Sequence, residues 1–242
     1  MGEWFGMLNK HFSFPRDYTT IDLETNGLQP DVCEICVIGH TVVRDGKPVE
    51  NKESYINWWL DPDVDHAAIE KRLTSTQKVM EEKNKTFLHT KAKLLECGRA
   101  PKEVLEEYLD LFEAMEARNE ILVSHNGVAF DLPFLVAHLH NVLRVGWEFR
   151  EDLIFDTGVI MKASQMATVP SPMPNETFYS FLRRVSRTPG YGIKWALDGY
   201  CEDRFGLRKK AGAKAEGAHT AGVDSLLTAY LYEEQRNLAH NG

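Results

Sequence analysis

Cysteine is scarce: Cys33, Cys36, Cys97 and Cys201 are the four in 242 residues. They are too few for a disulfide framework and fit a reducing cytoplasm, which is the expected location. Long apolar runs are missing as well. No stretch reaches the roughly 18 residues that a membrane-spanning helix needs, so no membrane partner is expected. The opening Met1-Gly2-Glu3-Trp4-Phe5-Gly6 lacks the basic start and apolar stretch of a signal peptide. Gly6 also stands where a myristoylation signal has Ser or Thr. Positive charge is in deficit, 28 basic against 36 acidic side chains, for a net charge of −8. This disfavours a protein that coats nucleic acid by bulk electrostatics. It still admits one whose carboxylates hold cations and whose basic residues are clustered. Hydrophobic residues at 43% and charged residues at 26% exclude wholesale disorder. The length favours one elaborated domain over two.

Tyr18 to Glu24 alternates as a strand does, and Asn26-Gly27 then signals a turn. A second strand is expected over Val32 to His40 and a third near Ser54 to Trp58, joined by a hairpin turn at Asp45-Gly46. Asp65 to Leu95 is helical in pattern and highly charged, and Pro101 opens a further helix. Ile121 to Ser124 is a short buried strand, Leu132 to Leu143 a helix with Pro133 in its first turn, and Ile154-Phe155 another strand. Asp156 caps the helix that follows. Three prolines make Met166 to Asn175 irregular. Helical patterns return at Phe178 to Val185, Ile193 to Phe205 and Ala221 to Glu234. The small, basic, glycine-bearing Lys209 to Gly217 is expected to be a mobile loop. A strand meander followed by helices alternating with short strands predicts an α/β fold with a mixed sheet.

Asp22 and Glu24 lie two apart on a strand, so their carboxylates share a face. Two carboxylates in an apolar strand repel and resist desolvation unless a cation lies between them, which favours a hard divalent ion with oxygen ligands. The bland alternative is a solvated face. Asp131 stands at a helix start, where an N-cap is the ordinary role, but Phe130 and Phe134 surround it with apolar groups. His219 and Asp224, five apart, point in different directions on one continuous helix; a loop His219 and a helical Asp224 fit better.

Together these segments resemble the three motifs of the DEDD 3′–5′ exonuclease superfamily, in its histidine branch. That branch includes replicase proofreading subunits, ribonuclease T and oligoribonuclease. Asp22-Leu23-Glu24-Thr25-Asn26-Gly27-Leu28 resembles the first motif, His125-Asn126 through Phe130-Asp131 and Phe134-Leu135 the second, and His219 with Asp224 the third. Phe155-Asp156-Thr157 and Trp195 to Cys201 are weaker landmarks of the same pattern. The resemblance covers about residues 18–234 of a single domain expected over 1–242. The stretches Glu70–Arg99 and Met166–Tyr191 look longer than a minimal member needs.

The resemblance implies a ribonuclease-H-like, mixed five-stranded sheet flanked by helices. It implies that Asp22, Glu24, Asp131 and Asp224 hold two divalent ions, Mg²⁺ or Mn²⁺, and that His219 is the general base. Thr25 and Leu28 would cradle the terminal nucleotide, and Asn126 would be a further substrate contact. The implied activity releases nucleoside 5′-monophosphates from the 3′ end of DNA or RNA. A separate polymerase is a further partner it admits. The alternatives are a proofreading subunit dependent on that polymerase and a non-catalytic nucleic-acid-binding module. Arg183, Arg184, Arg187 and Lys194, with Arg208, Lys209, Lys210 and Lys214, flank the third motif and could follow phosphates. Cys33-Glu34-Ile35-Cys36 reads as structural thiols, since strand geometry points its cysteines apart. His138 and His140 do not face each other on a helix.

Overall fold

A computed structural model of the chain describes residues 2–83, 87–166, 171–190, 192–212 and 220–241. Among them, five strands form one sheet in the order β3-β2-β1-β4-β5. These are β1 (Tyr18–Thr25), β2 (Ile35–Arg44), β3 (Lys47–Tyr55), β4 (Ile121–Ser124) and β5 (Ile154–Asp156). The first three pair antiparallel, while β4 joins β1 and β5 joins β4 in parallel. The sheet is therefore mixed, as the strand pattern predicts.

Asp45 and Gly46, both with positive φ, make the tight turn between β2 and β3. The strands around it run differently from expectation. β3 covers Lys47–Tyr55 rather than Ser54 to Trp58, and Trp58–Leu60 is a short 3₁₀ turn capped by Asn57. The expected strand misses the polar half of β3, whose outer residues face water at the sheet edge and so lack an apolar alternation.

Helices cover both faces: α1 (Gly2–Leu8), α2 (His66–Glu82), α3 (Lys91–Cys97), α4 (Pro101–Ala117), α5 (Asp131–His138), α6 (Thr157–Ala163), α7 (Phe178–Arg187), α8 (Glu202–Phe205), α9 (Leu207–Ala211) and α10 (Ala221–Asn241). Asp65, Thr90, Asp156 and Thr177 cap their helices by accepting a backbone N–H, and Pro101 sits in the first turn of α4. The charged Asp65–Leu95 stretch is thus two helices, α2 and α3, not one. Leu132 to Leu143 begins as α5 and ends in a π turn over Leu139–Leu143. Ile193 to Phe205 holds a π turn at Leu197–Cys201 and the short α8. Lys209 and Lys210, placed in a loop by composition, end α9.

Helix α10 carries the architecture of the site. It lies across β1 and β2 and is supported at its far end by α1, whose Phe5 and Leu8 are fully buried. The Tyr18 hydroxyl on β1 donates to the Ala229 carbonyl at 3.1 Å and to Glu233 at 3.0 Å. Phe12, Phe14, Phe155, Phe178 and Tyr232 form one aromatic cluster beneath it, with Phe155 and Tyr232 edge to face at 5.0 Å.

Candidate active site

Strand β1 emerges from the sheet centre with Ile21 and Leu23 buried and Asp22 and Glu24 half-buried on the other face. That alternation follows directly from strand geometry. Asp224, in the first turn of α10, comes down beside them. One oxygen from each of Asp22, Glu24 and Asp224 lies within 4.8 Å of the others. Burial, followed by the charges of Asp131, Asp224, Glu24 and Glu53, holds the Asp22 carboxyl well above the usual carboxylate range. Like charges so close are mutually destabilising until a cation joins them. Three carboxylates with no sulfur or nitrogen among them fit a hard divalent ion such as Mg²⁺ or Mn²⁺.

Asp131 approaches the same site from α5 and is 3% exposed. It is not the cap of its helix: Phe130 holds that position. One carboxylate oxygen accepts the backbone N–H of Leu23 at 3.0 Å, just past the point where β4 stops pairing with β1. Burial and then the Asp156 charge push the Asp131 carboxyl up to about 8, against the pull of that N–H. Phe134 is fully buried and its ring lies 4.9 Å from that of Phe130, so the apolar setting expected from the sequence is present.

Asp156 has a structural task. Its carboxylate accepts N–H groups from Asn126 at 2.8 Å, Val128 at 3.0 Å and Val159 at 2.9 Å. It thereby caps α6 and ties the turn after β4 in place. Asn126, in a left-handed conformation (φ 69°), enters that turn through its backbone. His219 lies outside the described residues, as does Lys214.

After Glu24 the chain forms a closed loop. Thr25 Oγ1 donates to the Gly27 carbonyl at 2.6 Å, and the Glu34 N–H donates to Asn26 Oδ1 at 2.7 Å. From α2, Thr76 Oγ1 donates to the Asn26 carbonyl at 2.7 Å, and Arg72 holds Glu34 with two nitrogens. Leu28 stands out of this loop, 82% exposed.

Two neighbours of the cluster carry no signal in the sequence. His89, 4% exposed, places Nε2 3.5 Å from Glu24 Oε2, with its Nδ1 buried and unpartnered among the described residues. Glu53 on β3 accepts the Gly222 N–H at 3.2 Å and the Tyr55 hydroxyl at 3.0 Å. Each reaches the site only through tertiary structure, one from the loop before α3 and the other across two strands. The basic clusters divide. Arg184 pairs with Glu176, Arg208 with Glu202 and Lys210 with Glu234, while Arg183, Arg187, Lys194 and Lys209 are exposed. Cys36 is buried and Cys33 precedes β2; no described cysteine forms a disulfide. His138 is buried against the Phe134 carbonyl.

No protein-family model matches the sequence. Residues of the chain are 30% identical over 131 positions to the PolC-type DNA polymerase III of Thermotoga petrophila, and 27% identical over 146 positions to that of Ureaplasma parvum. These matches span 54% and 60% of this chain but 8% of each polymerase. Among solved structures, Escherichia coli exonuclease I in complex with a dT13 oligonucleotide superposes with a TM-score of 0.61 at 14% identity, covering 94% of this chain and 42% of that one. Its zinc-bound complex with single-stranded DNA gives 0.56 at 13% identity, over 93% and 40%. The chain has the fold of exonuclease I. Its mixed sheet and flanking helices are the ribonuclease-H-like arrangement, and the carboxylates sit where β1, α5 and α10 of that fold converge. Among the described residues, no helix is long and apolar enough to cross a membrane.

Proposed function

We propose that the chain is one metal-dependent exonuclease domain that hydrolyses phosphodiester bonds from the 3′ end of nucleic acid and releases nucleoside 5′-monophosphates. The observation that carries this reading is the meeting of Asp22, Glu24 and Asp224 within 4.8 Å, beside the loop that projects Leu28. Asp22, Glu24 and Asp224, with Asp131, would hold two divalent ions, Mg²⁺ or Mn²⁺. Such ions supply charge neutralisation at the phosphorus oxygens and a bound water of lowered pKa. His219 takes a proton from the attacking water. The Thr25 backbone meets the terminal 3′-hydroxyl, Leu28 wedges against the last base, and Asn126 holds the turn that brings Asp131 in. Single-stranded DNA is what the exonuclease I complexes hold and is the first substrate to try here; RNA is the second.

Digestion of 5′-labelled single-stranded DNA, duplex DNA and RNA with Mg²⁺ or Mn²⁺, wild type beside Asp22→Ala, tests the reading. A ladder shortening from the 3′ end, absent with Asp22→Ala, is expected. Rapid cutting of circular single-stranded DNA, or no cutting of any substrate, overturns it. A second reading, proofreading beside a separate polymerase, is favoured by the PolC-type likeness. It predicts that a polymerase added in trans accelerates removal of a mismatched 3′ nucleotide.

A further inference from the structure

Asp22, Gly39 and Glu53 are direct cross-strand partners on β1, β2 and β3, so they form one row on one face of the sheet. The middle residue has no side chain, and α10 uses the space. A Cβ on Gly39 would lie 2.1 Å from the carbonyl of Ala221 and 2.5 Å from Gly222 N. The backbone at the start of α10 thus rests on the sheet between two carboxylates.

The next row, Thr20, Thr41 and Asn51, continues the seat. Thr20 Oγ1 donates to the Ser225 carbonyl at 2.7 Å, and the Thr41 and Ser225 hydroxyls lie 3.1 Å apart. Edge strand β3 grips the Gly222 residue at both polar groups. Glu53 Oε1 accepts its N–H at 3.2 Å, and Asn51 Nδ2 donates to its carbonyl at 2.8 Å. The N–H of Gly222 is one that no helical carbonyl can satisfy, because it lies in the first turn. Two residues later comes Asp224.

We propose that Glu53, with Asn51, is a positioning residue for Asp224: it fixes the first turn of α10 at the height where that carboxylate meets Asp22 and Glu24. Glu53 acts as an anchor and not as a ligand, since one oxygen holds Gly222 N–H and the other the Tyr55 hydroxyl. This rests on the reading of the three carboxylates as a cation site.

The test is calorimetric titration of the metal-free protein with Mn²⁺ alone, without nucleic acid. Glu53→Ala should weaken binding by about 10–100-fold, the range for loss of a group that orients a ligand. Glu53→Gln keeps an oxygen for the Gly222 N–H and an amide for Tyr55, so it should bind within about threefold of wild type, well inside that loss. Wild-type affinity in Glu53→Ala overturns the proposal. So does a loss in Glu53→Gln as large as in Glu53→Ala, because the charge and not the anchor would then matter. Should Glu53→Ala fail to fold, Asn51→Ala, which releases the other end of the same residue, must weaken Mn²⁺ in its place. If wild type itself binds no Mn²⁺, the cation-site reading fails, a result separate from either variant comparison.

Discussion

Asp131 shows what the proposed metal site would cost the metal-free fold. Its folded-state pKa of about 8 exceeds the roughly 3.9 of an unfolded aspartate. With the folded value raised, its contribution to stability is fully present below about pH 4 and is lost as pH rises toward about 8. Metal-free Asp131→Asn should therefore melt higher than wild type at pH 7.5, by a few degrees for a gain of about 1 kcal/mol. The amide oxygen can still accept the Leu23 N–H. Added Mn²⁺ should reverse the order by stabilising wild type more; a lower melting point for the metal-free variant would contradict the electrostatic account. At this scale the sequence is readable where one element suffices. Asp22 and Glu24 share a face because a strand alternates. Asp131 reads as a helix cap because its true partner, Leu23 N–H, belongs to another element 108 positions away. His89 and Glu53 have no local pattern at all.

At the scale of elements, the two-residue turn at Asp45-Gly46 pairs Arg44 with Lys47, and simple counting from there sets Glu53 opposite Ile38, on the wrong face. An irregularity between Val42 and Val43, where Val49 stands without a partner between Pro48 and Glu50, moves the register by one and sets Glu53 opposite Gly39. Such a bulge re-aims every later side chain, and proline cannot donate to the ladder, but neither fact announces the shift in advance. Gly39 then decides how closely α10 can approach. Gly39→Ala should cost about 1–3 kcal/mol of stability, the range for forced overpacking, because the neighbouring atoms are helix backbone and cannot rotate away. Urea unfolding measures it, and an unchanged midpoint would mean that α10 is free to lift. On the other side of the site, α2 braces the loop that carries Leu28. Arg72→Ala removes both of its contacts to Glu34. Amide exchange over residues 26–34 should accelerate at least tenfold, about 1.4 kcal/mol of lost protection, while Mn²⁺ affinity stays as in wild type. Slow exchange in that variant would show that Thr76 and the Asn26–Glu34 contacts hold the loop alone.

For the whole molecule, acid acts in two directions: it favours the buried carboxylates of Asp22, Asp131 and Asp156 and works against two buried histidines. His138 is 6% exposed, and burial lowers its pKa. Its Nδ1 lies 2.8 Å from the Phe134 carbonyl, to which the ring donates, leaving Nε2 to accept the Ile35 N–H at 3.4 Å. A proton on Nε2 would face a donor. Burial lowers His40 as well. With folded values depressed, the unfolded chain takes up these protons first, so the histidines' contribution to stability falls as pH drops below roughly 6.5. His138→Gln should therefore raise the urea midpoint at pH 5.5 relative to that at pH 7.5, compared with wild type; an unchanged difference between the two midpoints would show that His138 carries no such cost. The antiparallel meander and the mixed sheet were legible because they follow from alternation and turns, and the five-stranded sheet flanked by helices came with the family resemblance, whereas α1 came with neither, being seven residues with no periodic apolar face long enough to register. That helix changes what counts as the unit. The family resemblance starts at Tyr18, yet Phe5, Leu8, Phe12 and Phe14, all before it, are buried under α10 and β5. Each buried side chain of this kind is worth about 1.5–3 kcal/mol. A fragment cut at the first motif would keep Asp22, Glu24, Asp131 and Asp224 and lose the support under the far end of the helix that carries Asp224: the stretch that resembles the family is shorter than the unit whose packing holds that helix.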